Sequence, residues 1–224
     1  MYVGRKMTTD PITVKPDTPL VKARDLLREK NIKQLPVVDE QGNLVGILTD
    51  RDIKQAWASP ATTLSIYELT YVLQKMTVES VMVKDPITIT ADATIERAAK
   101  ILHARRIGSL PVVEKNKVVG IITSTDLMEV LLDALGIKEE SGRLVVLVKD
   151  RIGVLADVCS ILVEANINIL SMVTIPLHMY PGTFELVMRV NSPDRERAVD
   201  RLTQAGYRVI TEYKKDLVPF LPDG

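Results

Sequence analysis

Roughly the first 135 residues contain one pattern of apolar and polar positions written twice. In the first copy, the apolar stretch 12–14 predicts a short strand, and apolar residues at helical spacing after Pro19 predict a helix that ends near Asn31. The stretches 35–38 and 44–48 predict a β-hairpin, and a second helix begins at Thr49. The order strand, helix, hairpin, helix then returns in the second copy.

Three short motifs mark the two copies and occur in the same order in each. Met-x-x-Asp-Pro-Ile-Thr begins at Met7 and Met82, Leu-Pro-Val-Val at Leu35 and Leu110, and Gly-Ile-x-Thr-x-x-Asp at Gly46 and Gly120. The first two pairs are 75 residues apart and the third pair 74, so the second hairpin turn lacks one residue. A repeat that changes length only in a turn is one supersecondary unit used twice, and each copy is expected to bury a face on the other.

A different pattern begins after Gly136. Apolar strands are predicted at 144–148, 167–173, 184–190 and 207–213, with one helix after Gly153 and another between Ser192 and Gly206. The order βαββαβ is that of a ferredoxin-like sandwich. The predicted division of the chain is a first repeat with a connecting helix (1–76), a second repeat (77–136), a polar linker (137–143), a third domain (144–213) and a C-terminal tail (214–224). The connecting helix is predicted at 64–76, after residues 59–63, which are predicted to interrupt the regular secondary structure.

Composition narrows the classes of function. The chain has 224 residues, 46% of them hydrophobic, and 29 basic residues balance 29 acidic ones, so no overall field favours nucleic acid or an anionic membrane. No apolar run has the length of a membrane span, and we expect a soluble, cytoplasmic protein. The single Cys159 forms no internal disulfide and, with only two histidines, no metal-ligand spacing occurs. We expect neither a metal nor a catalytic cofactor.

The third repeated motif carries the candidate chemistry. In both copies a buried strand passes into the first turn of a helix, where backbone N–H groups have no intrahelical partner and the helix dipole is positive. A phosphate can be held at that turn while Asp52 or Asp126 accepts hydrogen bonds from ribose hydroxyls. The alternative is structural, because Thr49 with Asp52, and Thr123 with Asp126, also fit ordinary helix caps.

The repeated motifs resemble a tandem pair of CBS (cystathionine β-synthase) domains. The resemblance implies an α/β (α+β) fold in which two βαββα repeats pack as a disc, with two clefts that bind adenine nucleotides (AMP, ADP or ATP) or S-adenosylmethionine. Residues carried over by the resemblance for the first pocket are Thr13, Lys33, Gln34, Leu35, Pro36, Thr49, Arg51 and Asp52. Those for the second pocket are Thr88, Ser109, Leu110, Pro111, Thr123, Thr125 and Asp126.

The two pockets are expected to differ in charge. Lys33, Asp50 and Arg51 surround the first, whereas Gly108, Ser124 and Thr125 take the corresponding places in the second. Arg105 and Arg106 are then the cations expected nearest to the second pocket, and Lys33 reaches either. We therefore expect unequal affinities, and the alternative that one pocket stays empty remains open.

The third domain resembles an ACT domain at 150–155 and 166–169. The resemblance implies a module that binds an amino acid or serves in dimerisation. By that likeness, the N–H groups after Gly153 hold an effector carboxylate, and Asn168 faces it across a subunit boundary. The residues carried over are Arg151, Ile152, Gly153, Val154, Leu155 and Asn168. Ile152 stands where the family often has proline, which leaves the turn less rigid.

A CBS pair followed by an ACT domain resembles the acetoin-utilisation (AcuB-type) regulatory proteins. This implies a non-enzymatic homodimer that senses an adenine nucleotide, with an amino acid as a second effector and an enzyme as its target. Nucleotide occupancy is expected to fix the angle between the repeats, and residues 137–143 to transmit it. The alternative from another class is an oligomerisation scaffold whose repeats bind no ligand.

Overall fold

The computed structural model describes residues 1–58, 75–137 and 140–222. The chain divides into two compact units, Met1–Met128 and Glu129–Gly224. Of the connecting helix predicted at 64–76, only residues 75 and 76 are described, and the break predicted at 59–63 lies outside the described residues, as do Lys138 and Glu139 of the predicted linker. No helix in the described part of the chain combines the length and the hydropathy that crossing a membrane requires.

The first unit contains the two repeats, whose elements agree with the predicted order. The elements of the first repeat are β1 (Thr8–Thr9), α1 (Leu20–Glu29), β2 (Gln34–Val38), β3 (Leu44–Thr49) and α2 (Asp50–Ala58). Those of the second repeat are β4 (Val83–Lys84), α3 (Ile95–Arg105), β5 (Ser109–Glu114), β6 (Lys117–Thr123) and α4 (Ser124–Ala134). The boundary between the two compact units falls inside α4, after Met128.

The two repeats exchange their first strands. β1 pairs with β6 of the second repeat, and β4 pairs with β3 of the first, both antiparallel. The chain before β1 follows the same exchange, since the N–H groups of Val3 and Gly4 donate to the carbonyls of Ala93 and Ala91. The strand predicted at 12–14 is reduced to one parallel bridge between Val14 and Val37. Each three-stranded sheet is therefore built from both repeats.

Met7 and Met82 explain why a glycine stands in the third motif. A Cβ added to Gly46 would lie 2.5 Å from Met82 Sδ and 3.1 Å from the Val83 carbonyl oxygen, because β4 pairs with β3 at this point. Gly120 is in the same relation to Met7, whose sulfur also occupies the place of a Cβ. The methionine of one repeat and the glycine of the other are thus packing partners.

The missing residue lies in the hairpin turn, as predicted. The first turn spans residues 39–43, where Asp39 Oδ1 accepts hydrogen bonds from the N–H groups of Gln41 and Asn43. The second turn consists of Lys115 and Asn116, both with positive φ (49° and 67°), as a two-residue type I′ turn requires. The second hairpin accommodates the missing residue by forming a tighter turn, and the pairing of its buried residues is unchanged.

Each first helix buries the apolar stripe that its sequence predicts. Leu20, Ala23 and Leu27 of α1 are at most 3% exposed and pack on Leu35 and Leu48 of the hairpin. The helix starts differ between the repeats. Thr94 caps α3 by accepting from the Arg97 N–H (3.3 Å), whereas α1 begins after Pro19 without a side-chain cap.

The second unit has the predicted βαββαβ order. Its elements are β7 (Ser141–Lys149), α5 (Val154–Glu164), β8 (Ile169–Pro176), β9 (Thr183–Asn191), α6 (Arg195–Gln204) and β10 (Val209–Ile210). The strands form an antiparallel sheet in the order β10-β7-β9-β8, which confirms the ferredoxin-like sandwich. β7 begins at Ser141, inside the predicted linker, and β10 covers two residues of the predicted 207–213.

The two faces of this sheet are covered by different parts of the chain. Leu144, Val146 and Val148 pack with α5 and α6 on one face. On the other face, Val145 and Leu147 are 2% exposed and pack against the C-terminal residues Leu217, Phe220 and Leu221. Arg208 Nη1 donates to the carbonyls of Pro219 (3.3 Å) and Leu221 (2.9 Å), which holds this segment on the sheet.

Candidate functional site

The strand-to-helix corner of the first repeat is fixed by a reciprocal cap. The Thr49 N–H and hydroxyl both donate to Asp52 Oδ2, at 2.9 and 2.6 Å, and the Asp52 N–H donates to Thr49 Oγ1 at 3.2 Å. The second corner repeats these contacts between Thr123 and Asp126 at 2.7, 2.9 and 3.3 Å. Both aspartates therefore cap their own helices.

Capping uses one oxygen of each carboxylate. Among the described residues, every hydrogen bond accepted by the Asp52 carboxylate ends on Oδ2, which leaves Oδ1 for another partner. Asp52 is half-buried and lines an open cleft of about 620 Å³. That volume lies within the range of small-molecule pockets. The cap therefore holds the carboxylate in a fixed orientation at the wall of a cleft large enough for a nucleotide.

The cleft is lined by both repeats of the first unit. From the first repeat it receives the start of β2 and the β3–α2 corner, with Lys33, Gln34, Ile47, Thr49, Asp50, Arg51, Asp52 and Gln55. From the second repeat it receives the turn after β4 and the start of β5, with Val83, Asp85, Pro86, Ile87, Arg106, Ile107, Gly108, Ser109 and Pro111. A ligand in this cleft therefore contacts both halves of the sequence repeat.

Three cations border the cleft. Lys33, Arg51 and Arg106 all line it and all are solvent-exposed. Within the described residues, none of the three forms an ion pair, whereas Asp50 is paired with Lys54 at 2.6 Å. Cations without a carboxylate partner are available for an anion, and Arg presents a planar fork that fits phosphate oxygens.

Apolar side chains also line the cleft. Ile47, Val83, Ile87 and Ile107 contribute to the lining, beside the two prolines at 86 and 111. A flat, apolar purine ring finds such a wall favourable, while its sugar and phosphate require the polar side. The lining thus includes apolar, hydrogen-bonding and cationic groups, which are the groups that a base, a ribose and a phosphate require.

The structure distributes the predicted residues in a way that the sequence did not anticipate. Seven of them line the cleft: Lys33, Gln34, Thr49, Arg51, Asp52, Ser109 and Pro111. The others lie outside its lining: Thr13, Leu35, Pro36, Thr88, Leu110, Thr123, Thr125 and Asp126. Leu35 and Leu110 are fully buried in the core, so neither residue presents surface to a ligand.

Arg106 lies in a different place from the one expected. It borders the cleft of Thr49 and Asp52, whereas the sequence was expected to place it nearest to the second pocket. The turn at Asp85, Pro86 and Ile87 and the end of α3 were missed as part of this cleft. The repeated motifs contained an indication of this arrangement. Met82 and Gly46 can pack on each other only if the segment after Met82 lies against the hairpin of the first repeat.

A smaller cleft of about 300 Å³ lies beside the β7–α5 turn of the second unit. Of the residues carried over from the ACT resemblance, Arg151, Gly153, Val154 and Leu155 line it, together with Lys149, Thr174 and Phe184. Gly153 is the N-cap of α5 with a φ of 87°, and no side chain caps this end. The first residues of the helix, Val154 and Leu155, thus line the cleft at a helix N-terminus without a capping side chain.

Two residues of that set behave differently. Ile152 is fully exposed and, like Asn168, does not line the cleft.

Arg151 donates to Asp157 Oδ2 at 2.5 Å, and this hydrogen bond, with the charge of the carboxylate, raises the pKa of the guanidinium. Arg151 therefore stays charged at the mouth of the cleft with part of its charge balanced.

Comparisons with known proteins agree with this architecture. The family model described as the CBS domain matches residues 3–59 and 78–133, just over half of the chain, and the model described as the ACT domain matches residues 142–206. A CBS domain-containing protein of Dictyostelium discoideum is 35% identical over 136 residues, which are 60% of this chain and 94% of that protein.

A second kind of relative is an enzyme. Inosine-5'-monophosphate dehydrogenase of Mycobacterium tuberculosis is 32% identical over 211 residues, which are 92% of this chain. This chain spans only 36% of the length of that dehydrogenase. The similarity therefore leaves most of the enzyme without a counterpart in these 224 residues.

Three solved structures share the fold of the CBS pair. The CBS domain pair of protein MJ0100, in complex with 5'-methylthioadenosine and S-adenosyl-L-methionine, has 32% identity and a TM-score of 0.51, covering 58% of this chain and 95% of that one. The protein CBSX2 in complex with AMP has 30% identity and a TM-score of 0.50, covering 58% and 96%. The acetoin utilization protein AcuB of Vibrio cholerae has 28% identity and a TM-score of 0.51, covering 59% and 90%.

Proposed function

This chain belongs to the CBS-domain family and carries an ACT domain after its CBS pair, and from that premise we propose that it is a regulatory protein that senses adenine nucleotides. The observation that carries the proposal is the cleft of about 620 Å³ between the repeats, which Asp52 lines together with three cations that form no ion pair within the described residues. Two proteins with a similar pair are described with AMP or with two adenosine derivatives bound, which supports the same ligand class here.

Each part of the ligand is matched by residues of the cleft. The ribose hydroxyls donate to Asp52 Oδ1, the oxygen that the cap leaves available. The phosphate lies at the N-terminus of α2, where Arg51, Lys33 and Arg106 balance its charge. The adenine ring packs on the apolar wall that includes Ile47, Ile87 and Ile107. AMP, ADP, ATP and S-adenosylmethionine all contain the adenosine that this arrangement recognises.

The proposed role is non-enzymatic. The cleft combines three cations with three carboxylates, of which Asp50 is engaged by Lys54 and Asp52 by its own helix cap. A hydrolytic reaction at phosphate requires a group that activates water, commonly with a metal ion. Within the described residues, no cluster of three or more His, Cys, Asp or Glu is arranged to hold a metal ion. Binding, with its effect on conformation, is the function that these residues support best.

Regulation follows from the position of the cleft between the repeats. A ligand that contacts both repeats binds more tightly to the arrangement in which both sets of contacts form, and it shifts the population towards that arrangement. The alternative, an oligomerisation scaffold, requires only the caps of the two corners. It predicts that no adenosine compound raises the melting temperature.

Replacing Asp52 by asparagine separates the two functions. The Asn side-chain oxygen still accepts from the Thr49 N–H and hydroxyl, so the cap is retained, but its amide group replaces the acceptor offered to ribose. We expect Asp52→Asn to weaken AMP binding at least tenfold in calorimetry, with a melting temperature of the ligand-free protein close to wild type. Asp25→Asn is the matched control, because this exposed carboxylate is paired with the neighbouring Arg24.

Either of two results would contradict the proposal. One is the absence of AMP, ADP, ATP or S-adenosylmethionine binding to the wild-type protein. The other is unchanged affinity in Asp52→Asn. The scaffold would be favoured if Asp52→Asn lowered the melting temperature and the wild type bound none of these ligands.

For the ACT domain we propose an amino acid as the second effector. The cleft of about 300 Å³ at the β7–α5 turn supports this, because Lys149, Arg151 and the N-terminus of α5 suit a carboxylate and Phe184 offers an apolar contact. Asn168 lies outside the cleft, so its part in binding requires a second subunit, as in a homodimer. We also propose that the partner of this protein is an enzyme whose activity it regulates.

A thermal-shift screen of the full chain against the amino acids tests the second effector. A ligand at 100 times its Kd stabilises the native state by about 2.7 kcal/mol. We expect a shift with at least one amino acid in the presence of saturating AMP, which places the response outside the nucleotide cleft. If no amino acid shifts the transition, the ACT domain serves association alone.

A further inference from the structure

A further cleft of about 220 Å³ in the second unit lies beside the C-terminal segment that covers one face of the sheet. It is bounded by the end of β7, the loop between α6 and β10, and residues 220–222. Tyr207, Arg208 and Phe220 line this cleft, here called the Tyr207 cleft, but not the cleft at the β7–α5 turn. The two clefts are different sites, although they share the border residues Val148, Lys149, Arg151 and Val154.

The polar part of the Tyr207 cleft favours an anion. It consists of the side chains of Lys149, Arg151, Tyr207 and Arg208, and the described lining contains no carboxylate. Lys149 forms no ion pair within the described residues, whereas Arg151 is paired with Asp157 on the protein surface. Lys149 is therefore a cation available to an anionic ligand, with the phenol of Tyr207 as a second donor.

Tyr207 is suited to the role of a hydrogen-bond donor. Burial raises the pKa of its phenol above the usual 10.0, and the charge of Asp157 acts in the same direction, while Arg151 opposes it. The phenol consequently keeps its proton at neutral pH. Its ring packs against the core between the sheet and the two helices, so a ligand has little side-chain freedom to remove on binding.

The rest of the lining is apolar and limits the size of the ligand. Leu147, Val154, Phe220 and Leu221 belong to it. A cavity of about 150 Å³ is known to hold benzene. On that scale, a cleft of about 220 Å³ accommodates roughly six to nine non-hydrogen atoms, far fewer than a nucleotide contains. The lining therefore fits a small molecule with one anionic group and a short apolar body.

A carboxylate distinguishes the two clefts. Asp150 lines the cleft at the β7–α5 turn together with Lys149 and Arg151, so both ionic groups of an amino acid find a partner there. The described lining of the Tyr207 cleft contains no partner for an ammonium group. An ammonium in this cleft would lose hydration without gaining an ion pair, which disfavours an amino acid.

We propose that the Tyr207 cleft binds a small organic carboxylate with a short apolar body and no amino group. The carboxylate accepts hydrogen bonds from Lys149 and from the Tyr207 hydroxyl, and the apolar body contacts Leu147 and Phe220. Because residues 220–222 form one wall, the ligand binds while this segment lies on the sheet and shifts the population towards that arrangement. The inference depends neither on nucleotide binding nor on the amino acid effector.

Calorimetry on the full chain tests the inference with 4-methylpentanoate as the probe. We expect the wild type to bind it and Tyr207→Phe to weaken binding at least about fivefold, because the packed ring is kept and only the hydroxyl is lost. Asp150→Asn is the matched control, since Asp150 lines only the other cleft. Its affinity for 4-methylpentanoate should stay within about twofold of the wild type.

Hydrogen exchange locates the bound acid. The N–H groups of Phe220 and Leu221 donate to the carbonyls of Leu217 and Val218 at 2.9 and 3.2 Å. Their exchange should become slower at saturating 4-methylpentanoate, because the ligand stabilises the segment on the sheet. Leucine, which has the same carbon skeleton with an added amino group, and inorganic phosphate should leave this exchange unchanged at the same concentration.

Three results would overturn the inference. The first is the absence of 4-methylpentanoate binding to the wild type, and the second is unchanged affinity in Tyr207→Phe. The third is equal slowing of exchange by leucine or by inorganic phosphate, since the cleft would then not select an organic acid without an amino group. None of these results affects the proposed nucleotide sensor, whose cleft lies in the first unit.

Discussion

At the scale of single residues, Asp52 shows that a helix cap and a ligand contact are compatible. The cap uses Oδ2 and fixes the carboxylate, which reduces the orientational freedom that a ligand would otherwise have to remove. The same holds for Asp126. A sequence pattern that fits a cap therefore does not count against a binding role for the same residue.

Asp39 gives a prediction about pH at this scale. Hydrogen bonds from the Asn43 side chain, and then from the backbone of Asn43 and Gln41, hold the pKa of Asp39 below its usual 3.8. Because the folded pKa is below the unfolded one, the stabilisation is complete above the unfolded value and is lost as pH falls through the folded pKa. We expect NMR titration to place this carboxyl below the usual range.

The substitution Asp39→Asn tests the consequence for stability. It removes the titrating group while it keeps an oxygen for the turn, so urea denaturation should show a weaker loss of stability than the wild type between roughly pH 5 and pH 2. An identical pH dependence in the two proteins would show that the turn does not distinguish the charged form of Asp39.

At the scale of elements, the exchange of β1 and β4 links the two repeats. Each short strand completes the sheet of the other repeat, and the segments before them follow, with the Leu20 N–H donating to Met76 and the Val78 N–H to Thr18. Because the exchanged strand β4 leads directly into Asp85 and Pro86, it also brings the second repeat to the cleft.

The substitution Gly46→Ala tests this exchange. The added Cβ meets Met82 Sδ and the Val83 carbonyl where β4 crosses β3, and overpacking of this kind costs about 1–3 kcal/mol. We expect a lower melting temperature, partly restored in Gly46→Ala/Met82→Ala, since the backbone contact remains. Gly108→Ala is the control, because its Cβ meets only the flexible end of Gln34. A wild-type melting temperature for Gly46→Ala would contradict the close contact between β3 and β4 at Gly46.

At the scale of the whole molecule, two compact units are built on different principles. The first derives its cleft from a duplicated βαββα element, and the second is a single sandwich whose two sheet faces are covered by separate parts of its own chain. The C-terminal segment forms the cover of the second face. Residues that the sequence assigns to a tail are thus part of a core.

Phe220→Ala tests the contribution of that segment. Phe220 is half-buried, so we expect a loss of about 1–3 kcal/mol, below the 3–5 kcal/mol typical of a fully buried Phe. Hydrogen exchange at the amides of Val145 and Leu147 should become faster, which locates the effect in this sheet. Val218→Ala, whose side chain is 56% exposed, should leave the exchange unchanged. Unchanged exchange in both variants would show that the segment adds no stability.

Much of the fold was predictable because its signals are local. The two hairpins, the shortened turn at Lys115 and Asn116 and the βαββαβ order all follow from apolar periodicity and turn residues. The corner residues Thr49, Arg51 and Asp52 were predicted as part of a site, and they line one cleft. On the side of the cleft that the second repeat contributes, Ser109 and Pro111 were predicted as site residues, although for the other pocket, and Arg106 was expected nearest to that other pocket.

The sequence by itself determined the elements, the duplication and the side chains at both corners, because these depend on spacing over a few residues. Only the tertiary structure decided that β1 and β4 each pair with the other repeat, that Arg106 lines the same cleft as Asp52, and that the C-terminal segment covers the sheet. The physical reason is that strand pairing and packing between distant segments depend on shape and burial in three dimensions, for which no local periodicity exists.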